Sequence, residues 1–380
     1  MVQKVQIPPQ PTGHPAYERW MEAQGIPIHR GHFIADPMTA ELGWWAERQV
    51  NACFVQLLGQ QGVSEARITE IPPGGTLPPL KMAISEVVYV LEGQGLATVW
   101  SEDGPKKTFE WGKHSLFCLP RHAWHQLSNA RGNKPARVLN YNYLPAAMST
   151  MPAAHLLFNN PYERPGLLYG KEGDEGFYAE AKMVTHEDGS GRKGQGVFWS
   201  ANFIPNMSAW DKLVPFWGRG AGGHVVRIQF PGAEMSCHMS VFDPQLYKKG
   251  HRHGPGRVIV IPKGEGYSVL WPGDPLEWGA LEGAEKVVCP WSEGTIFVPP
   301  EMWYHQHFNT GTGEARYLAL GPLRSQFQGR AYSHQIEYPQ EDPWIREKFE
   351  TEIAKNGMKS LMPDEAYTNP DFEWDYGDDS

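Results

Sequence analysis

Two short stretches of this chain gather histidines: Gly250-His-Arg-His253 and Trp303-Tyr-His-Gln-His307. On an extended strand, residues i and i+2 share a face, so His251 and His253 can present both imidazoles to one point. Imidazole is the commonest ligand for borderline transition metals. A metal needs a further donor, and His305, beyond an apolar strand, is the natural third. Such a set on adjacent strands leaves two or three coordination positions for substrate and dioxygen. Taken alone, a His-x-His pair reads equally as a solvated surface turn. The Pro-x4-His-x3-Asn frame from Pro300 to Asn309 is what turns it into a metal expectation. Arg257 stands four residues after His253, where a carboxylate would complete a ligand set. A permanently charged guanidinium cannot ligate a cation.

The elements that must position these residues recur within the chain. Glu86 is followed, after six intervening residues, by Gly93-Gln-Gly95, and Arg257, after six, by Gly264-Glu-Gly266. Leu116–Pro120 then leads to His125 and Asn129, and Ile296–Pro300 leads to His305 and Asn309. In both copies Pro precedes His by five positions and Asn follows it by four. A repeat of about 170–180 residues is far too long for a solenoid and implies one fold used twice. Both copies are built of short β-type runs punctuated by Gly and Pro.

The spacing H-x-H-x3-(E)-x6-G, followed by G-x5-P-x-G-x2-H-x3-N, resembles the double motif of the cupins. Here it reads His251, His253, Arg257, Gly264, then Gly294, Pro300, Met302, His305, Asn309. The first copy reads Leu80, Met82, Glu86, Gly93, then Pro120, His122, His125, Asn129. The chain thus resembles a bicupin. That implies an all-β fold of two tandem double-stranded β-helix (jelly-roll) barrels with helical extensions. The resemblance departs at two points. Leu80 and Met82 replace both ligand histidines in the first copy, so Glu86 and His125 are read there as structural remnants without a metal. Arg257 replaces the glutamate in the second, so that centre is expected to be three-histidine: His251, His253 and His305. Three-histidine iron centres occur in ring-cleaving gentisate-type, diketone-cleaving and thiol dioxygenases. Trp303-Tyr-His-Gln-His-Phe-Asn309 resembles the W-x-H-x-H-x-N stretch of gentisate 1,2-dioxygenases, although those are best known for a working N-terminal centre.

The resemblance therefore implies a non-haem Fe(II) dioxygenase, cleaving a ring or C–C bond of a small aromatic hydroxy-carboxylate or related bidentate anion with O2. Mn, Ni, Co or Zn are alternative metals. They belong to a non-oxidative reading (decarboxylase, hydrolase or isomerase), and a non-catalytic binding bicupin is the third alternative. A neutral three-histidine set leaves the charge of the ion uncompensated, which favours an anionic, bidentate substrate. Arg257 or Arg227 can fork a remaining carboxylate. His307 shares the face of His305 and is either an acid/base group or a packed barrel residue. Trp303 and Trp271 can floor an aromatic pocket, though with 15 tryptophans in the chain both read first as core. Tyr304 alternates to the opposite face. His238 reads as packing before it reads as an extra ligand, Glu265 as a solvated turn, and Cys237 as inert.

The totals set outer bounds. Of 380 residues, 41 are Gly and 33 Pro, which suits short strands and many turns. A net charge of −9 excludes nucleic acid as the main partner, because phosphate binding needs a basic surface. From Glu341 to Ser380 twelve acidic residues face four basic ones, a tail read as a solvated skirt around one helix. That helix is capped by Asp342, started by Pro343 and ended by Gly357. The expected partition is a helical arm (1–50), an N-terminal cupin (51–147), a connection (148–220), a metal-binding cupin (221–322) and the acidic tail (323–380). Four widely spaced cysteines without C-x-x-C read as buried apolar residues. The N-terminus lacks an apolar signal core and no apolar run reaches membrane-spanning length, so a cytoplasmic protein with no membrane partner is expected. A homo-oligomer, dimer or tetramer, is expected from barrel edges and the arm.

Overall fold

The computed structural model describes residues 15–60, 62–102, 106–162, 178, 181–185, 192, 194–231, 233–273, 283–321 and 334–377. Each repeat folds into a large and a small antiparallel sheet facing one another. In the first, the large sheet runs Val50–Val55, Glu65–Ile71, Ala136–Asn142, Glu86–Glu92, Leu116–Leu119. The small one runs Leu80–Lys81, Trp124–Asn129, Gln94–Trp100, Lys107–Gly112. The second repeat has the same order: His224–Gln229, Ser236–Phe242, Ala315–Gly321, Val258–Lys263, Ile296–Phe297 in the large sheet. Its small sheet runs Gly250–Arg252, Trp303–Asn309, Gly266–Pro272, Val287–Trp291. These are the two barrels that the sequence resemblance implies. Among the described residues no helix is long and apolar enough to cross a membrane.

Burial explains why the large-sheet strands are apolar on both faces. Val87, Tyr89 and Leu91 join Val258, Val260 and Leu318 in one cluster shared by the two barrels. Their neighbours Val88 and Val90 turn into the first barrel, and Ile259 and Ile261 into a cluster of the second. The two large sheets therefore pack face to face and each strand has no wet side.

The repeat extends to backbone conformation. Gly93 and Gly264 (φ 109° and 100°), His114 and Gly294 (67° and 89°), and His122 and Met302 (62° and 61°) all adopt left-handed φ at matching turns. A non-glycine residue there costs roughly 1–2 kcal/mol, which accounts for the glycine preference of the motif at these positions. The motif asparagines are structural. Asn129 Nδ2 donates to Lys134 O (2.8 Å) and its Oδ1 accepts from Arg131 N (2.9 Å). Asn309 repeats this with Gly313 O (3.0 Å) and Gly311 N (3.1 Å).

Three expectations need correction. Of the arm expected to be helical (1–50), Pro15–Ala23 is a helix, but Ala40–Arg48 holds the strand Gly43–Trp45 instead. The adjacent Val50–Val55 offers an edge, and Trp45 pairs with Val50 across the turn between them; sheet pairing overrides weak local periodicity. The arm and the connection also trade sides. Phe33–Ile34 pairs with Ile296–Phe297 of the second barrel, and Phe203–Ile204 pairs with Leu116–Phe117 of the first. Finally, the tail is not a solvated skirt. His334–Ile336 adds a strand beside Gly250–Arg252, and the helix Pro343–Ala354, capped by Asp342 to Trp344 N at 2.9 Å, buries Ile345, Phe349 and Ile353. Phe349 packs on Tyr247 and Phe308 behind the small sheet. Residues 322–333, where the expected tail begins, lie outside the described residues.

Candidate metal centre

The second barrel brings three of the singled-out histidines to one place. His251 on Gly250–Arg252 lies directly opposite His305 on Trp303–Asn309, and His253 follows on the same face. The ring centroids stand 4.1 Å apart for His251–His305, 4.7 Å for His253–His305 and 5.8 Å for His251–His253. One ring nitrogen from each falls within 4.8 Å of the other two. Donors about 2.1 Å from a common ion lie at most about 4.2 Å apart, so small side-chain rotations would bring all three onto one cation.

Protonation favours that use. Burial, before any other cause, pushes the pKa of all three down: His305 to about 3, His251 and His253 well below the usual histidine range. Arg219 adds to each depression, and Arg257 to those of His253 and His305. All three rings are therefore neutral at pH 7 with a lone pair to give. His253 Nδ1 stands 2.7 Å from Gly254 O, so that nitrogen carries the proton and Nε2 remains as donor atom.

No carboxylate joins this group among the described residues; its surroundings are cationic. Arg257 donates to His238 Nδ1 at 3.0 Å inside the barrel. That contact occupies His238 with an arginine and leaves it outside the three-histidine group. Arg227 sits opposite His238 in the sheet, its guanidinium 5.5 Å from the Phe216 ring. Lys248 is buried between Phe216 and Phe242, with Gly220 O at 3.4 Å; burial lowers its pKa to about 7. Arg219 donates at 3.1 Å to Gln335, which itself pairs with His251. Neither Arg219 nor Gln335 was legible in the sequence. One lies in a turn 32 positions before His251 and the other in a tail strand, and no motif spacing ties them to the site.

His307 shares the inner face but stays outside the ligand group, its ring 5.6 Å from His305 and 6.5 Å from His251. Its Nδ1 meets Ser268 Oγ at 2.8 Å, and that hydroxyl accepts from Trp291 Nε1 at 3.1 Å. The indole can only donate, so the serine hydrogen is free to point at Nδ1 and leave the His307 proton on Nε2. Tyr317 flanks the ring at 4.4 Å. Trp303 is half-buried on the same strand face, 5.6 Å from His32 of the arm. Tyr304 and Trp271 stack on the outer face, 5.7 Å apart, and take no part in the site. Glu265 is an exposed turn residue, and Cys237 is buried between the barrels with its thiol pKa pushed up by burial.

No family profile matches the chain, and no curated protein matches it. Solved structures overlap it loosely. Oxalate decarboxylase from Bacillus subtilis, as a mutant, is 10% identical over 83% of each chain with a TM-score of 0.47. Oxalate decarboxylase from Lactobacillus farciminis is 12% identical over 83% of this chain and 92% of that one, TM-score 0.47. Salicylate 1,2-dioxygenase from Pseudaminobacter salicylatoxidans is 12% identical over 72% and 75%, TM-score 0.46. Overlaps this loose transfer neither a reaction nor a metal to the present chain.

Proposed function

We propose that this chain is a metal-dependent oxygenase: an Fe(II) dioxygenase acting with O2 on a small hydroxylated aromatic carboxylate or a similar bidentate anion. The observation that carries the reading is the neutral set His251, His253 and His305, without a carboxylate in the group and with Arg219, Arg257 and Lys248 around it. Neutral ligands leave the charge of a divalent ion uncompensated, and nearby cations add to it, so an anionic chelating substrate is the favoured occupant. A bound ion supplies Lewis-acid polarisation and a place where substrate and dioxygen meet. The chain's own residues do the rest. Arg257 and Arg227, on the inner face of the large sheet, receive a carboxylate that does not reach the ion. His307, with its proton on Nε2, is placed to donate to a developing oxyanion. Trp303 offers a flat surface to an aromatic ring.

Metal analysis of freshly purified protein, followed by oxygen uptake with gentisate, salicylate and related acids, tests the proposal. Bound iron and oxygen consumption are expected, both abolished by His251→Ala. Zinc or manganese alone with no oxygen consumed would sink the oxygenase reading, and undiminished turnover under anaerobic conditions would replace it with a non-oxidative metalloenzyme.

A further inference from the structure

The first barrel holds a cavity, open to solvent on one side, where the second carries its histidines. Register fixes the correspondence: Leu80 pairs with His125 as His251 pairs with His305. Met82, in the place of His253, is buried in an apolar cluster. Glu86 is fully occupied: Arg67 Nη2 donates to it at 2.5 Å, Asn140 Nδ2 at 2.7 Å and Asn142 Nδ2 at 3.0 Å. Arg67 is held between Glu86 and Glu65, and of the ionised groups on the cavity wall Arg48 is the one outside that ion-pair cluster.

Arg48 enters from the arm. Its guanidinium lies 5.5 Å from the Trp45 ring and 4.5 Å from the Phe158 ring. Its Nη2 is buried without a hydrogen-bond partner, and no carboxylate stands within ion-pair distance of it among the described residues. Leaving a buried donor unmade costs roughly 1–3 kcal/mol, more for a charged one. A ligand carboxylate would remove that cost. The rest of the wall includes Leu77, Leu80 and Leu119, surface suited to an apolar body.

We propose that this cavity is a metal-independent binding site for a small monocarboxylate with an aromatic or branched aliphatic body, its carboxylate held by Arg48. It is separate from the three-histidine centre and does not depend on what that centre does.

Calorimetric titration of the full chain, stripped of metal by a chelator, tests it with benzoate and with the neutral benzyl alcohol as probes. Benzoate is expected to bind with a Kd at or below about 1 mM, and benzyl alcohol about tenfold or more weakly. Arg48→Leu should weaken benzoate by about tenfold or more, and Lys263→Ala, at an exposed position outside both barrels' sites, should leave it unchanged. Absence of benzoate binding up to about 10 mM, equal affinity for the two probes, or undiminished binding in the Arg48 variant would each overturn the proposal. Should Arg48→Leu fail to fold, Leu80→Trp fills the cavity without touching a charge, and benzoate binding retained in that variant overturns it as well.

Discussion

Arg257 is the residue at which this site departs furthest from the pattern that its neighbours suggest. A glutamate there would supply a ligand and a negative charge. The arginine instead reaches His238 and adds to the field that holds His253 and His305 neutral. Its consequence is a demand placed on the substrate, which must bring the negative charge that the protein withholds. Arg257→Leu is accordingly expected to raise KM for an anionic substrate by about 10–100-fold, the worth of one charge-assisted hydrogen bond, with the metal content unchanged. Steady-state oxygen uptake alongside metal analysis checks both halves. A variant that lost metal instead would place Arg257 in the support of the ligand set rather than in substrate binding.

At the scale of elements, the C-terminal segment does more than solubilise. Its helix closes the outer face of the small sheet whose inner face carries His305 and His307, and its strand extends the same sheet next to His251. Phe349→Ala should therefore cost about 3–5 kcal/mol, the usual penalty for emptying a buried phenylalanine site, read as a shift of the denaturant midpoint. Glu341 makes this contact sensitive to pH. Burial raises its carboxyl to about 7, with Tyr247 and Gln306 (3.0 Å) donating to it. The folded pKa lies above the unfolded one, so the stabilisation is complete below about pH 4.5 and is lost as pH rises through 7. Wild type should lose up to about 3 kcal/mol of stability from this group between pH 5 and pH 8, and Glu341→Gln should flatten that slope. A slope identical in the two proteins, measured by denaturation at both pH values, would remove Glu341 from the account.

At the scale of the whole molecule, the first barrel braces the second. Tyr141 donates to Gly256 O at 2.7 Å, and Gly256 N donates to Gly59 O at 2.7 Å, both in the turn between His253 and Arg257. Gly59, at φ 96°, is pressed so close that an added Cβ would stand 2.5 Å from Pro299 O. Substituting alanine at Gly59 should therefore strain the turn on both counts and weaken metal binding along with stability. Tyr141→Phe removes only the hydrogen bond and should cost about 1 kcal/mol. Thermal melts with and without added metal separate the two effects. If Gly59→Ala left metal affinity untouched, the brace would be structural only.

Much of this was legible in the sequence because it depends on periodicity. Strand alternation by itself puts His251 with His253 and His305 with His307, and the internal repeat implies that the two pairs share one barrel. The helix from Pro343 was readable from its cap and its terminating glycine, which are local signals. Other features depend on contacts between residues far apart in the chain, which carry no spacing signature. Only the tertiary structure placed Arg219 and Gln335 at the centre, turned Gly43–Trp45 into a strand against Val50–Val55, and seated the acidic tail on the barrel. It also showed what surrounds the corresponding positions in the first barrel. The sequence marks Leu80 and Met82 at the ligand positions; the packing around them shows Glu86 bound to Arg67 and Arg48 with its Nη2 lacking a hydrogen-bond partner at a cavity wall. Residue types and their period determine which groups can meet on one face. Which charges end up compensated is decided when distant segments pack, because burial sets the cost of leaving one unpaired.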